Sequence, residues 1–203
     1  MEPDYFDYLL KQDTFPRSLY NRTKKRFVLN QILKLRGKKI LDAGVGNGYI
    51  LKDISDQNRK VGIDLNPRAL TYCRENLRGE FISTNLEQKL PFKNNSFDII
   101  ICTETIEHMQ KPDSLIKEFY RILKKGGKLI VTTNNYDSFL WLTIERLWYP
   151  IFGGSCQPHK EEIHPSKLNP MKMRGIFEKH FKRLKLDLIN LGMTICISCE
   201  KSE

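Results

Sequence analysis

The stretch Ile40-Leu41-Asp42-Ala43-Gly44-Val45-Gly46-Asn47-Gly48 decides how the rest of the chain reads. An apolar run closing at Asp42 predicts a short buried strand over Lys39–Asp42. The alternating glycines after it predict a loop whose backbone passes close to a ligand. Tyr49–Asn58 then reads as a helix. Lys60–Asp64 is a second strand, Pro67–Leu77 a helix with proline near its first turn, and Glu80–Thr84 a third strand. Phe97–Cys102 is an apolar run bounded by turn residues, which predicts a strand buried on both faces. Asp113–Leu123 reads as a helix with Asp113 as N-cap and Gly126–Gly127 ending it. Lys128–Thr133 is a fifth strand. Upstream, Ser18–Leu35 predicts a helix with Leu19, Phe27, Leu29, Ile32 and Leu33 on one broad face. Downstream, Lys167–His180 is helical, and Lys182–Asn190 and Met193–Cys199 are strands meeting at Leu191–Gly192.

Strand and helix alternating in this way predict an α/β, Rossmann-like fold. Its sheet is doubly wound, seven-stranded and mostly parallel, with an antiparallel edge strand and a C-terminal hairpin. At 203 residues the chain is expected to be a single domain, 1–203. Residues 1–36 read as an N-terminal helical cap and 136–165 as an aromatic insertion or lid. An apolar fraction of 40% with 29% charged residues excludes a disordered or fibrous chain. The acidic start MEPDYFDYLLKQD has no apolar run of the kind a secretory signal carries, and no uncharged stretch is long enough to span a bilayer. With an odd five cysteines, reduced thiols in the cytoplasm are expected. Cys196 and Cys199 fall on opposite faces of a strand, which argues against a shared metal, and Cys73 and Cys102 read as core.

The net charge of +10 is concentrated: Thr14–Leu41 holds nine Lys/Arg and no acid. Ser166–Asp187 adds seven Lys/Arg against Glu178 and Asp187. Such stretches are solvated helix faces or attract RNA, anionic lipid or an acidic substrate.

Asp64 closes the second strand, 22 residues after Asp42. A carboxylate there can accept both hydroxyls of a ribose, so the loop suits an adenosine-containing ligand. The dinucleotide fingerprint would require glycine at position 49, where this chain has tyrosine. Asp42, just before the loop, would repel a pyrophosphate but suits a cation. S-adenosylmethionine (SAM) carries an ammonium and a sulfonium and no phosphate, so charge favours SAM over a dinucleotide.

The segment Leu41–Gly48 resembles the first motif of the class I SAM-dependent methyltransferases, of the methyltransferase type 11 and ubiquinone-methyltransferase kind. Asp64 resembles the family's ribose-binding acid. Asn85-Leu86, with Leu90-Pro91-Phe92 and Ser96-Phe97-Asp98, resembles its adenine-holding segment, although the family usually has Asp where Asn85 stands. Arg121–Gly127 resembles its helix-to-fifth-strand turn. The resemblance implies SAM contacts from Asp42, Ala43, Gly44, Gly46, Asn47, Asp64, Leu65, Asn85, Leu86 and Thr103.

The acceptor is expected over the ends of the fourth and fifth strands, at Cys102–His108 and Thr133–Tyr136. The fourth strand lacks the Pro-Pro-Tyr type signature of amino-group methyltransferases, which favours an oxygen acceptor. Glu104, Glu107, His108 and His164 are the candidate catalytic residues. Glu104, Glu107 and His108 are also a candidate site for a divalent metal such as magnesium, with His159 or His164 as a further ligand. Such a metal would hold an acceptor hydroxyl and lower its pKa. The spacing resembles the ubiquinone-type O-methyltransferases and the small-RNA 3′-terminal ribose methyltransferases. Without a metal, His108 or His164 is the expected base.

Tyr136–Phe152 packs both tryptophans with nine other large apolar or aromatic residues. Phe139, Leu140, Ile144, Leu147 and Trp148 follow helical spacing. This is a sheet-edge cover or dimer contact, a lid over the acceptor, or a shallow membrane contact. The expectation is therefore a cytoplasmic enzyme, membrane-peripheral at most, that transfers methyl to an oxygen of a small-molecule or lipid-like acceptor. The alternatives are an RNA methyltransferase docked on Arg17–Lys39, and a non-catalytic SAM-binding module.

Overall fold

The computed structural model describes residues 17–143, 146–147 and 164–202. In chain order the elements are α1 (Arg17–Asn30), β1 (Lys39–Ala43), β2 (Arg59–Asp64), α2 (Pro67–Asn76), β3 (Glu80–Ser83), β4 (Phe97–Thr103), α3 (Pro112–Ile122), β5 (Leu123–Asn134), α4 (Phe139–Thr143), α5 (Pro170–Glu178), β6 (Leu184–Ile189) and β7 (Thr194–Glu200). The seven strands form one sheet in the order β3-β2-β1-β4-β5-β7-β6. The first five run parallel. β7 is antiparallel to both β5 and β6, completing the expected hairpin. Strand order reverses between β1 and β4, and the crevice outside their carboxyl ends is where open α/β sheets take ligands.

Side chains along β4 alternate between two cores. Phe97, Ile100 and Cys102 join Leu115, Phe119 and Phe177 from α3 and α5 on one face. Ile99 and Ile101 join Val28 and Ile32 from the N-terminal segment and Leu70 and Cys73 from α2 on the other. Both faces of β4 are therefore dry, which is why its sequence is apolar without alternation. Among the described residues no helix is long and apolar enough to cross a membrane.

Several local expectations are corrected. Tyr49–Asn58 is not a helix: it makes one 3-10 turn, Leu51–Asp53. The turn stops at Ile54, whose backbone is extended and whose N–H donates to Leu51 O, and the Lys60 ammonium also donates to the carbonyls of Leu51 and Ile54. Asp113 lies in the first turn of α3 rather than at its cap. Lys111 precedes Pro112, whose fixed φ and missing N–H suit a first helical position. The Asp113 carboxylate instead pairs with Lys179 near the end of α5, at 3.0 Å. Helix α3 ends at Ile122, because Leu123 is already extended and pairs with Phe97; Gly126 and Gly127 lie inside β5. The C-terminal helix starts at Pro170, where Asn169 accepts from Lys172 N–H.

The N-terminal helix ends at Asn30, short of Leu35, and the expected face is only partly buried. Leu29 and Ile32 are buried and Phe27 packs on the core, but Leu19 and Leu33 are exposed, and Ser18, Asn21, Lys24 and Val28 are buried as well. In the aromatic segment Trp141 is the buried residue of α4, and Phe139 is 84% exposed. Ile144, Trp148 and His159, with most of the rest of 144–163 and residues 1–16 of the N-terminal cap, lie outside the described residues.

Candidate active site at the carboxyl ends of β1, β4 and β5

The loop after β1 turns back on the end of β2. Gly44 and Val45 N–H both donate to Ile63 O. The two Asp64 oxygens accept from Gly46 N–H at 2.9 Å and Asn66 N–H at 2.8 Å. Each retains a further lone pair. Gly44 has φ +79, and a Cβ there would run into Thr105. A Cβ at Gly48 would run into Leu77 at the end of α2. Both glycines are thus required by close approach as well as by backbone conformation.

Asp42 is 1% exposed. Its Oδ1 has no hydrogen-bond partner among the described residues. Burial, with Asp64 nearby, pushes its carboxyl up to about 8. A buried acceptor of this kind, beside a second carboxylate, suits a cationic ligand and opposes a pyrophosphate. The residues present therefore fit SAM. Ala43 and Leu86 are core residues behind this loop, Leu65 is exposed, and Asn47 is half-buried. Asn85 Oδ1 accepts from Glu87 N–H at 2.9 Å, which orients the amide beyond β3. The Thr103 carbonyl at the end of β4 accepts from Thr105 Oγ1.

The acceptor end is built from more distant parts of the chain. Consecutive residues of a strand point to opposite faces, and Thr132 and Thr133 do so at the end of β5. Thr132 Oγ1 donates to Glu104 at 3.2 Å, on the α1 side. Thr133 Oγ1 donates to Glu107 at 3.0 Å, on the other side. Glu104, with φ +50, is drawn to the buried Lys24 ammonium at 3.0 Å.

Glu107 instead meets His108 and His164, and one ligating atom from each of the three lies within 4.8 Å of the others. The cluster brought together is therefore Glu107, His108 and His164, not Glu104, Glu107 and His108. Glu107 is 1% exposed, and burial, then Glu104, raises its carboxyl above the usual range. His164 is lowered to about 3 by burial and then by His108, which makes it a weak base. Its Nδ1 is hydrogen-bonded to Tyr136 Oη at 2.5 Å. The two imidazoles lie edge to face, with centroids 4.7 Å apart.

Two residues of this region, Tyr20 and Lys24, escaped the sequence reading, and Thr133, inside the expected acceptor segment, has a role the sequence did not indicate. Tyr20 donates to Asn134 at 3.0 Å and stacks on Trp141 at 6.3 Å. Lys24 lies over the Tyr20 ring and pairs with Glu104. Thr133 holds Glu107. A signal for the first two existed: Leu19 is the one aliphatic residue among the first ten of α1, so burial of that part of the helix has to use polar partners.

Comparison with known proteins bears on the same region. Residues 41–131, from the middle of β1 to the middle of β5, match the family model described as a methyltransferase domain. Over that segment the chain is similar to methyltransferase domains, and it is a SAM-dependent methyltransferase. Over 199 residues it is 28% identical to the ubiquinone biosynthesis O-methyltransferase of Aliivibrio fischeri, covering 90% of this chain and 84% of that one. The enzyme of the same name from Idiomarina loihiensis is 29% identical over 165 residues, 75% of this chain and 67% of that one. The fold of a SAM-dependent methyltransferase from Aquifex aeolicus matches with TM-score 0.67 at 16% identity, covering 98% of each chain. The methyltransferase thus has SAM as its cofactor.

Proposed function

We propose that this methyltransferase transfers the methyl group of SAM to a hydroxyl of a small or lipid-like acceptor. The observation that carries the proposal is the Glu107–His108–His164 cluster past the carboxyl end of β4, in which Glu107 and His164 are buried. SAM supplies a methyl group already activated on a sulfonium, so the protein's work is to position the acceptor and take its proton. Asp42, Asp64 and the Gly44–Gly46 backbone would hold the cofactor, with Asn85, Leu86, Leu65, Asn47, Ala43 and Thr103 completing its pocket. Glu107, raised toward neutral pH by burial, and the half-buried His108 are the groups suited to receive the acceptor proton. Glu104 positions the end of β4 through Lys24 and Thr132.

The cluster would also take a divalent cation. Two imidazoles and a carboxylate suit zinc, manganese or iron better than magnesium, which prefers oxygen ligands. The acceptor class is supported by the relatives, ubiquinone biosynthesis O-methyltransferases, and by the aromatic wall of Tyr20, Tyr136 and Trp141.

Incubation with labelled SAM and a cell extract, fractionated into lipid, small-molecule, RNA and protein pools, tests the reading. Label in the lipid or small-molecule pool as an alkali-stable ether is the expected result. Label confined to RNA or protein overturns it. Loss of label with EDTA, restored by added manganese or zinc, assigns a metal to the cluster.

A further inference from the structure

The two edges of the sheet differ. β3 and β6 are its outer strands, and among the described residues no further strand pairs with the free side of either. β3 has four residues, and the Arg74 guanidinium of α2 donates to Phe81 O at 2.8 Å. Its short length and the arginine on one of its carbonyls leave little for another strand to pair with. β6 has six residues, without proline or glycine, and all six pair with β7 with no bulge. Such a strand carries a regular row of N–H and C=O groups on its free side, which is a template for a further strand.

The side chains of β6 say which strand fits. Leu184, Leu186 and Leu188 share one face, and Lys185 and Asp187 share the other. Leu184 and Leu186 pack against the core, whereas Leu188 is 50% exposed. Lys185 Nζ lies 3.2 Å from Asp187 Oδ2. Opposite charges two residues apart are self-complementary about the residue between them. In an antiparallel pair of two β6 strands centred on Leu186, each Lys185 stands opposite the partner's Asp187. Each Leu184 then stands opposite the partner's Leu188 and covers it. Residues directly opposite one another share a face, and opposite charges or apolar pairs there are stabilising. A two-fold axis imposes the same reciprocity. A register shifted by one residue would set Lys185 against the partner's Leu188 and bring unlike faces together.

We propose that β6 is a self-association edge: a second copy of this chain pairs antiparallel with it about Leu186, joining the two sheets into one. The pairing does not depend on the acceptor reading above.

Sedimentation equilibrium and amide hydrogen exchange on the full-length protein test it. The wild type should dimerise reversibly, and exchange over residues 184–189 should slow as protein concentration rises. Lys185→Asp or Asp187→Lys sets like charges opposite one another twice and should weaken association roughly tenfold or more. The double variant Lys185→Asp/Asp187→Lys restores both pairs and should recover it. A wild type that is monomeric even at its highest soluble concentration overturns the proposal. So does a dimer whose affinity the single variants leave unchanged, or whose loss the double variant fails to recover. Should a single variant not fold, wild-type exchange decides alone: unchanged exchange over 184–189 on dimerisation puts the contact elsewhere and overturns the pairing. Slowing of a monomer only on adding cell extract means that a different partner takes this edge, and overturns it equally.

Discussion

The two halves of the candidate site are built differently. The β1–β2 half is local: its loop, carboxylates and capping N–H groups lie within residues 42–66 and hold one another through backbone hydrogen bonds. The β4–β5 half is assembled from four remote pieces. Lys24 and Tyr20 come from α1, Glu104–His108 from the end of β4, Thr132–Tyr136 from β5 and beyond, and His164 from past the aromatic segment. A local site depends on a few side chains and tolerates change elsewhere. An assembled site fails when any of its struts is cut. The two halves touch where Thr105 fills the space left by Gly44.

The sharpest way to separate them is Glu107→Gln. The variant keeps the shape and loses the base, so methyl transfer should fall roughly 100- to 10,000-fold. SAM affinity by calorimetry should move less than about twofold; an equal loss in both would dissolve the division. Asp64→Ala attacks the other half. Losing charge-assisted bonds to the ribose and the brace on Gly46 should weaken SAM binding roughly 100-fold, and unchanged affinity would remove Asp64 from the cofactor site.

Lys24→Met cuts the strut between α1 and β4. It leaves Glu104, already in a left-handed backbone conformation, without its cation, and should cost about 1–3 kcal/mol in urea unfolding. Activity should fall while SAM affinity stays near wild type. A loss of stability confined to a few tenths of a kcal/mol would show that α1 is not structurally coupled to the site.

The mildest perturbation is a change of pH, whose effect is specific to the β1 half. Asp42 keeps its proton up to about 8 in the folded protein, against 3.8 for the ordinary carboxyl. Between those values the native state binds the extra proton, so stability falls as pH rises through the window. A cation binds best to the ionised form. SAM affinity should therefore rise with pH, approaching tenfold per unit below about pH 8 and flattening above it. Asp42→Asn should abolish both trends, and a pH-independent affinity in the wild type would remove Asp42 as the cation's partner.

The β1 half was legible in the sequence because its chemistry is contiguous. Asp42, Gly44, Gly46 and Asp64 all sit where spacing alone put them. The acceptor half was legible only as an inventory. Glu104-x-x-Glu107-His108 looked like one cluster, but β5 presents Thr132 and Thr133 to opposite faces and separates the two glutamates. The basic run in α1 resembled a solvated or polymer-binding face. Arg22 and Arg26 are indeed exposed, but Lys24 is buried over Tyr20 and against Glu104. The expected helix over Tyr49–Asn58 is a single 3-10 turn that stops where Ile54 becomes extended, with Lys60 from the next strand on its last carbonyls.

By itself, then, the sequence determined the strand and helix alternation, the seven-stranded order of events along the chain, and a loop chemistry suited to a cationic adenosine ligand. These follow from periodicity, glycine placement and charge within short windows. Only the tertiary structure decided which carboxylate joins the histidines, which lysine turns inward and which hydroxyl faces His164. Each of those depends on which face of the sheet a residue from a distant segment reaches, and no local pattern encodes that.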